Sequence, residues 1–142
     1  MKIDPKRGVA NLLFGMKQAD VIAVMGTPDK QFTDDDSNVI FLYYSHKMRL
    51  TFYEDEAFRL GYIITSSPEA TLLGVPVIGK NVVELKNELP FKSWEMEDFD
   101  STVNHFNESN WLIVQSEYDE VIRIEIGAII NDKDEFDWKF KA

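Results

Sequence analysis

Two copies of one short motif hold the residues of this sequence best placed for chemistry: Asp55-Glu56-x-x-Arg59 and, 64 residues later, Asp119-Glu120-x-x-Arg123. In each, two acids sit at a tight turn and an arginine follows early in the next strand-like run. That spacing suits turn chemistry with a cross-strand ion pair. It would also project Arg59 and Arg123 from matching places on a binding surface. Asp34-Asp35-Asp36-Ser37-Asn38 masses three carboxylates, yet it lacks the central glycine and closing glutamate of an EF-hand loop and reads as an acidic hairpin loop. His46 and His105 do not correspond at the 64-residue offset, and neither has a second ligand at metal-site spacing. There is no G-x-S-x-G elbow, phosphate-cradling glycine loop or dinucleotide fingerprint. The residues therefore predict no catalytic group, no cofactor and no metal, and leave recognition as the work of carboxylates, arginines and aromatics.

Composition narrows the classes further. The 142 residues carry a formal charge of −10, which would repel a phosphate backbone and argues against nucleic-acid binding while permitting a basic protein partner. No cysteine is present, so neither a disulfide framework nor a thiolate metal site is available. The opening Met1-Lys2-Ile3-Asp4-Pro5-Lys6-Arg7 places charge and proline before any apolar run, and the stretch Val9 to Phe14 is too short to be a signal or to span a membrane. These features predict a cytoplasmic protein without membrane attachment. A 44% hydrophobic content with ten Phe and three Trp supplies the core of one domain over 1–142.

The elements that must position these residues follow from an internal correspondence. Aligned without gaps at an offset of 64, the segment 14–65 shares nine identities over 52 positions: Gly15, Asp34, Asp36, Ser37, Val39, Ser45, Asp55, Glu56 and Arg59 recur as Gly79, Asp98, Asp100, Ser101, Val103, Ser109, Asp119, Glu120 and Arg123. Helical stripes over Ala19 to Met25 and Val82 to Leu89 end at Gly26-Thr27-Pro28 and Pro90, and Asn81 is a candidate cap. Strand-like runs follow at about 30–33, 39–45, 48–53 and 57–65, then at about 93–97, 102–106, 111–116 and 121–130. The expectation is an α+β fold of two tandem repeats, about 14–65 and 78–130. Each repeat is one helix followed by a four-stranded antiparallel meander, with the helices on one face of the sheet or sheets. The tail 131–142 adds a strand or covers an edge. Alternation places Ile40, Leu42 and Tyr62 with Phe106 on the core face, and Phe41, Tyr43, Arg49 and Tyr53 with His105, Trp111 and Ile113 on the other.

The run Phe14-Gly15-Met16-x-x-x-Asp20-Val21-x-x-x-Met25-Gly26-x-Pro28, with the strand aromatics Tyr43 and Tyr44, resembles the opening of units in the beta-lactamase-inhibitory-protein-like architecture and in the BamE (SmpA/OmlA) outer-membrane lipoprotein domain. The resemblance implies a concave sheet that grips another protein. The missing leader, lipid-bearing cysteine and disulfides depart from those families, and an acidic two-repeat binder is instead similar to bacterial immunity proteins. The function expected is thus a cytoplasmic inhibitor that neutralises a toxin with a basic surface, such as a nuclease domain, by occluding its active site. Aromatic anchors Tyr43, Tyr53 and Trp111 would be rimmed by Asp34, Asp35, Asp36, Glu54, Asp55, Glu56, Glu117, Asp119 and Glu120. A BamE-like assembly factor and a small-ligand-binding module are the alternatives, and the sequence leaves the oligomeric state open.

Overall fold

The computed structural model describes residues 1–141; Ala142, the last residue of the expected tail, lies outside the described residues. Strands carry the architecture. Five short ones, β1 (Lys2–Asp4), β2 (Gly8–Val9), β3 (Leu12–Leu13), β8 (Thr71–Leu72) and β9 (Val75–Pro76), form a small sheet in the order β3-β2-β1-β8-β9. Between them in sequence run β4 (Lys30–Thr33), β5 (Val39–Tyr43), β6 (Met48–Tyr53) and β7 (Arg59–Thr65), and after them β10 (Trp94–Phe99), β11 (Thr102–Asn107), β12 (Leu112–Glu117) and β13 (Glu120–Gly127). These eight make one continuous sheet, β10-β11-β12-β13-β7-β6-β5-β4.

This corrects the α+β expectation of two helix-plus-meander repeats. The two helices, α1 (Gln18–Met25) and α2 (Val82–Glu88), are only eight and seven residues long and are too short to form a layer of their own. The pairing of β7 with β13, with Ile63 opposite Ile126, merges all eight strands, so neither half is a separate unit. The segments 1–13 and 66–77, which lie outside the two expected repeats, build the second sheet. What results is a β-rich, two-sheet fold. Among its described residues the tail forms no regular strand but the isolated bridge Ile130 to Phe136, and the amides of Lys139 and Phe140 both donate to the Phe14 carbonyl at 3.0 Å.

Local chemistry fixes the short helices. The Lys17 amide donates to Asp20 Oδ2 at 3.0 Å to open α1, and Gly26, at φ 83°, closes it. Asn81 Oδ1 accepts from the Val83 and Glu84 amides at 2.9 and 3.1 Å to open α2. Val21, Val82 and Leu85 pack with Ile3, Leu12 and Leu72 of the small sheet into one cluster against the inner face of the large sheet. That inner face includes Phe41 opposite Leu50, Leu50 opposite Ile63 and Val114 opposite Ile124.

Two strands face opposite to expectation. Phe41 and Tyr43 are inward and buried, and so is His105, whereas Leu42 pairs with Arg49 and Phe106 with Ile113 on the outer face. The run Val39 to Tyr44 is apolar at every position, so it contains no period-two signal to set its phase. Tyr62 also turns outward. The register shifts after Thr51, leaving Gly61 as the extra residue between the pairs Phe52–Leu60 and Thr51–Tyr62.

Candidate functional site

A cleft of about 560 Å³ opens on the outer face of the large sheet, where the β10 edge, β11 and β12 approach the middle strands. Tyr53, Tyr62, Phe106 and Trp111 supply its aromatic walls, and Glu95 and Glu97 of the edge strand β10 supply its charge. Neither glutamate has a cation within ion-pairing distance among the described residues. A second hollow of about 420 Å³ lies on the other side of Tyr53 and Trp111, closed by Phe136 and Ile130, so those two rings form a ridge shared by both cavities.

The backbone is shaped to seat this ridge. A Cβ placed on Gly61 would stand 2.1 Å from Tyr53 Cε2, and one on Gly127 would stand 2.3 Å from Trp111 Cδ1. Only glycine lets each ring lie so close to its neighbouring strand. Trp111 closes the 3-10 turn Glu108–Asn110 with φ 44°, a left-handed conformation that bulky residues rarely adopt. Its carbonyl accepts the Gly127 amide at 3.1 Å, and its ring meets Phe106 edge-on at 5.1 Å. The indole nevertheless remains 40% exposed.

Beside it, the Tyr62 hydroxyl donates to Glu125 Oε1 at 2.6 Å. Burial first, and the bonded Glu125 carboxylate second, push the Tyr62 phenol far above its ordinary range, so it remains a neutral donor. Burial likewise raises Tyr53. Electron-rich ring faces next to two unpaired carboxylates attract cations, and the rings add apolar area for the stem of a lysine or arginine.

The residues expected to bind a partner are not brought together as one site. Tyr43 is buried and its hydroxyl donates to the Gly26 carbonyl at 2.8 Å, closing the end of α1. Asp34 staples its hairpin, with Oδ1 accepting the Asp36 and Asn38 amides at 2.9 Å each. Desolvation opposes its ionisation, but those amides, the Asn38 side chain and Arg49 outweigh it and hold Asp34 below the ordinary carboxylate range. Asp35 and Asp36 are exposed beside it. Glu54, Asp55 and Glu56 form the next turn at the same end, joined to the first by a bond from the Glu54 amide to Asn38 Oδ1 at 3.0 Å. Asp55 beside it raises the Glu54 carboxyl above its ordinary value.

Because β13 runs antiparallel to β7, the turn bearing Glu117, Asp119 and Glu120 lies at the opposite end of the sheet. The acidic rim is therefore split between two ends. Tyr53 and Trp111 alone of the named set line the cleft, joined by Tyr62, Phe106, Glu95 and Glu97, which the sequence reading did not single out. Spacing along the chain carries no signal for them, because the cleft forms only when β10, β11 and β12 meet the middle strands. Arg59 donates to the Glu56 carbonyl at 3.2 Å, in keeping with turn chemistry, whereas Arg123 faces outward near Glu125.

No family profile and no curated protein matches the sequence. Solved structures that share its fold include two bacterial proteins. An extracellular protein containing a SCP domain from Bacillus anthracis str. Ames superposes with a TM-score of 0.52 at 9% identity, over 79% of this chain and 43% of that one. A cysteine-rich secretory protein from Staphylococcus aureus subsp. aureus Mu50 superposes with a TM-score of 0.52 at 13% identity, over 85% of this chain and 44% of that one. This chain thus spans less than half of either. These neighbours overturn the resemblance to the beta-lactamase-inhibitory and BamE-like units. Both neighbours are described as extracellular or secretory, which conflicts with the cytoplasmic expectation. The misleading likeness rested on a short Gly-Met...Gly-x-Pro run that a capped helix before a strand produces in any setting.

Proposed function

We propose that this chain is a protein-recognition module that docks a basic segment of a partner on the outer face of its large sheet. A lysine or arginine side chain enters the cleft, its stem against Trp111 and Tyr62 and its charge beside Glu95 and Glu97. The observation that carries this reading is the half-exposed Trp111, held in a left-handed conformation over Gly127. A large apolar ring displayed at a backbone cost, with a glycine cut away beneath it, is a feature that folding alone does not require. The net charge of −10 adds attraction and faster capture for a cationic partner. The extracellular and secretory descriptions of the structural neighbours support seeking that partner outside the cytoplasm.

Fluorescence anisotropy with labelled arginine- and lysine-bearing peptides, against acidic and neutral peptides of the same length, tests the reading. Basic peptides should bind, more weakly as salt rises, and Trp111→Ala should weaken them at least about tenfold, equivalent to 1.4 kcal/mol. Equal binding of acidic peptides, or an unchanged affinity in Trp111→Ala, would overturn it.

A further inference from the structure

A further pocket of the outer face, of about 360 Å³, differs in charge from the aromatic cleft. Lys47, Arg49 and Arg123 line it together with Ser66 and Tyr44, over an apolar floor that includes Leu42 and Ile64. In a chain with 25 acids and only 15 lysines and arginines, three cations lining one pocket is a concentration that chance distribution of charge disfavours.

The ladder explains how they meet. The Ser66 amide donates to the Lys47 carbonyl at 3.0 Å, and Arg49 pairs with Ile64. Thr65 pairs with Ile124, which brings Arg123 alongside Ser66 from the neighbouring strand. Lys47 closes a 3-10 turn at φ 47°, the place that Trp111 takes at φ 44° in the aromatic cleft. One turn geometry thus presents an ammonium in one pocket and an indole in the other.

The charges are only partly compensated, with the Arg49 guanidinium 5.7 Å from the Phe32 ring and acting on Asp34. Arg123 Nε lies 3.5 Å from Glu125 Oε2, without a hydrogen bond, and it is a buried donor with no other partner. Glu125 itself is committed to Tyr62. Lys47 and Arg49 have no carboxylate within ion-pairing distance among the described residues, while Asp29 is engaged by the Tyr44 amide at 2.7 Å.

We infer that Lys47, Arg49, Arg123 and Ser66 form a binding site for a phosphate group, either free or carried on a lipid headgroup. Guanidinium forks suit its oxygens, and the lysine adds a point charge. This inference does not rest on the aromatic cleft and would survive that reading's failure.

The test is an amide-resolved NMR titration with inorganic phosphate, and co-sedimentation with phosphatidylcholine vesicles with and without phosphatidic acid. Either ligand should bind saturably, with phosphate shifting the amides of Lys47, Arg49, Ser66 and Arg123. The exposed pair Lys47→Gln/Arg49→Gln should lower affinity at least about tenfold with unchanged thermal stability. Binding to the acidic vesicles alone, lost in the double variant, would place the phosphate on a lipid. Shifts spread equally over Lys2, Lys6 and Arg7, binding that persists in the double variant, or no binding to either ligand would overturn the assignment.

Discussion

Trp111 and Gly127 are mutually exclusive with any side chain on the glycine: a Cβ there would stand 2.3 Å from Trp111 Cδ1 and 2.8 Å from Nε1. Gly127 has no positive φ, so Gly127→Ala introduces crowding without backbone strain. Overpacking of this kind costs about 1–3 kcal/mol, and the displaced ring should weaken basic peptides in parallel. Gly26→Ala is the contrast, with φ 83° and open space around it; its cost should be conformational, about 1–3 kcal/mol, with peptide binding intact. Urea titrations of both variants check this pair of outcomes.

Strain and display at Trp111 can be separated by substitution. Trp111→Ala keeps the left-handed residue and loses the ring, whereas Trp111→Gly also relieves the backbone, worth about 1–2 kcal/mol. Trp111→Gly should therefore be the more stable of the two by about that amount, while both lose basic-peptide affinity equally. A difference in affinity between them would mean that the backbone and not the indole makes the contact.

Some of this was legible in the residues. Turn chemistry marked the hairpins: Asp34 binds its own loop as an Asx turn does, and Asn81 caps α2. The helix stops at Gly26 and Pro90 likewise stand out before any folding is considered. Face assignments in β5 and β11 were not legible, because Val39 to Tyr44 is uniformly apolar and His105 is a polar residue placed inward with Ser116 for company. Nor was the small sheet: strands of two or three residues such as Gly8–Val9 and Leu12–Leu13 are too short to show a period. The cleft depends on Gly61 and Gly127 lying under rings from other strands, a tertiary relation that spacing along the chain does not encode.

His105 gives the fold a pH-sensitive point. It is buried, with Nε2 3.1 Å from Ser116 Oγ and Nδ1 3.2 Å from Lys86 Nζ. Lys86 can only donate, so Nδ1 accepts and Nε2 bears the proton donated to Ser116. Burial first, and the Lys86 ammonium second, lower the His105 pKa, against smaller opposing effects of Asp119 and Asp98. The unfolded chain, with an ordinary histidine near 6.5, then binds more protons than the native one below that pH. This contribution to stability is complete above about 6.5 and is lost as pH falls toward the lowered native value. Denaturant midpoints measured from neutral pH downward should fall, and His105→Gln should flatten that part of the decline.

Tyr62 and Glu125 form a cross-strand pair whose hydrogen bond, at 2.6 Å, also steers Glu125 toward Arg123. Tyr62→Phe removes the donor and leaves a carboxylate whose side chain is 13% exposed, with a cost of about 1–3 kcal/mol. Combined with Glu125→Gln, the loss should be less than the sum of the single variants, because both remove one interaction. Additivity in a double-mutant cycle would show that the pair is not coupled. In the folded protein no tyrosinate from Tyr62 should appear in an alkaline absorbance titration before unfolding.

Phe136 joins the tail to the ridge, 5.7 Å from the Tyr53 ring centroid and stacked on Trp138 at 4.7 Å. It also closes the smaller hollow behind Trp111. Phe136→Ala should cost less than the about 3–5 kcal/mol of a fully buried phenylalanine, since the ring is only partly buried. Its second effect concerns Tyr53, which has Gly61 beneath it and Phe136 beside it; with Phe136 gone the tyrosine is free to tilt away from the strand. The smaller hollow then opens toward solvent, while Trp111 retains its seat over Gly127 and its contact with Phe106. Stability and recognition should accordingly part company: the urea midpoint falls, and basic-peptide affinity changes by less than in Trp111→Ala. A loss of affinity as large as that of Trp111→Ala would make Tyr53, and not the indole, the principal contact of the cleft.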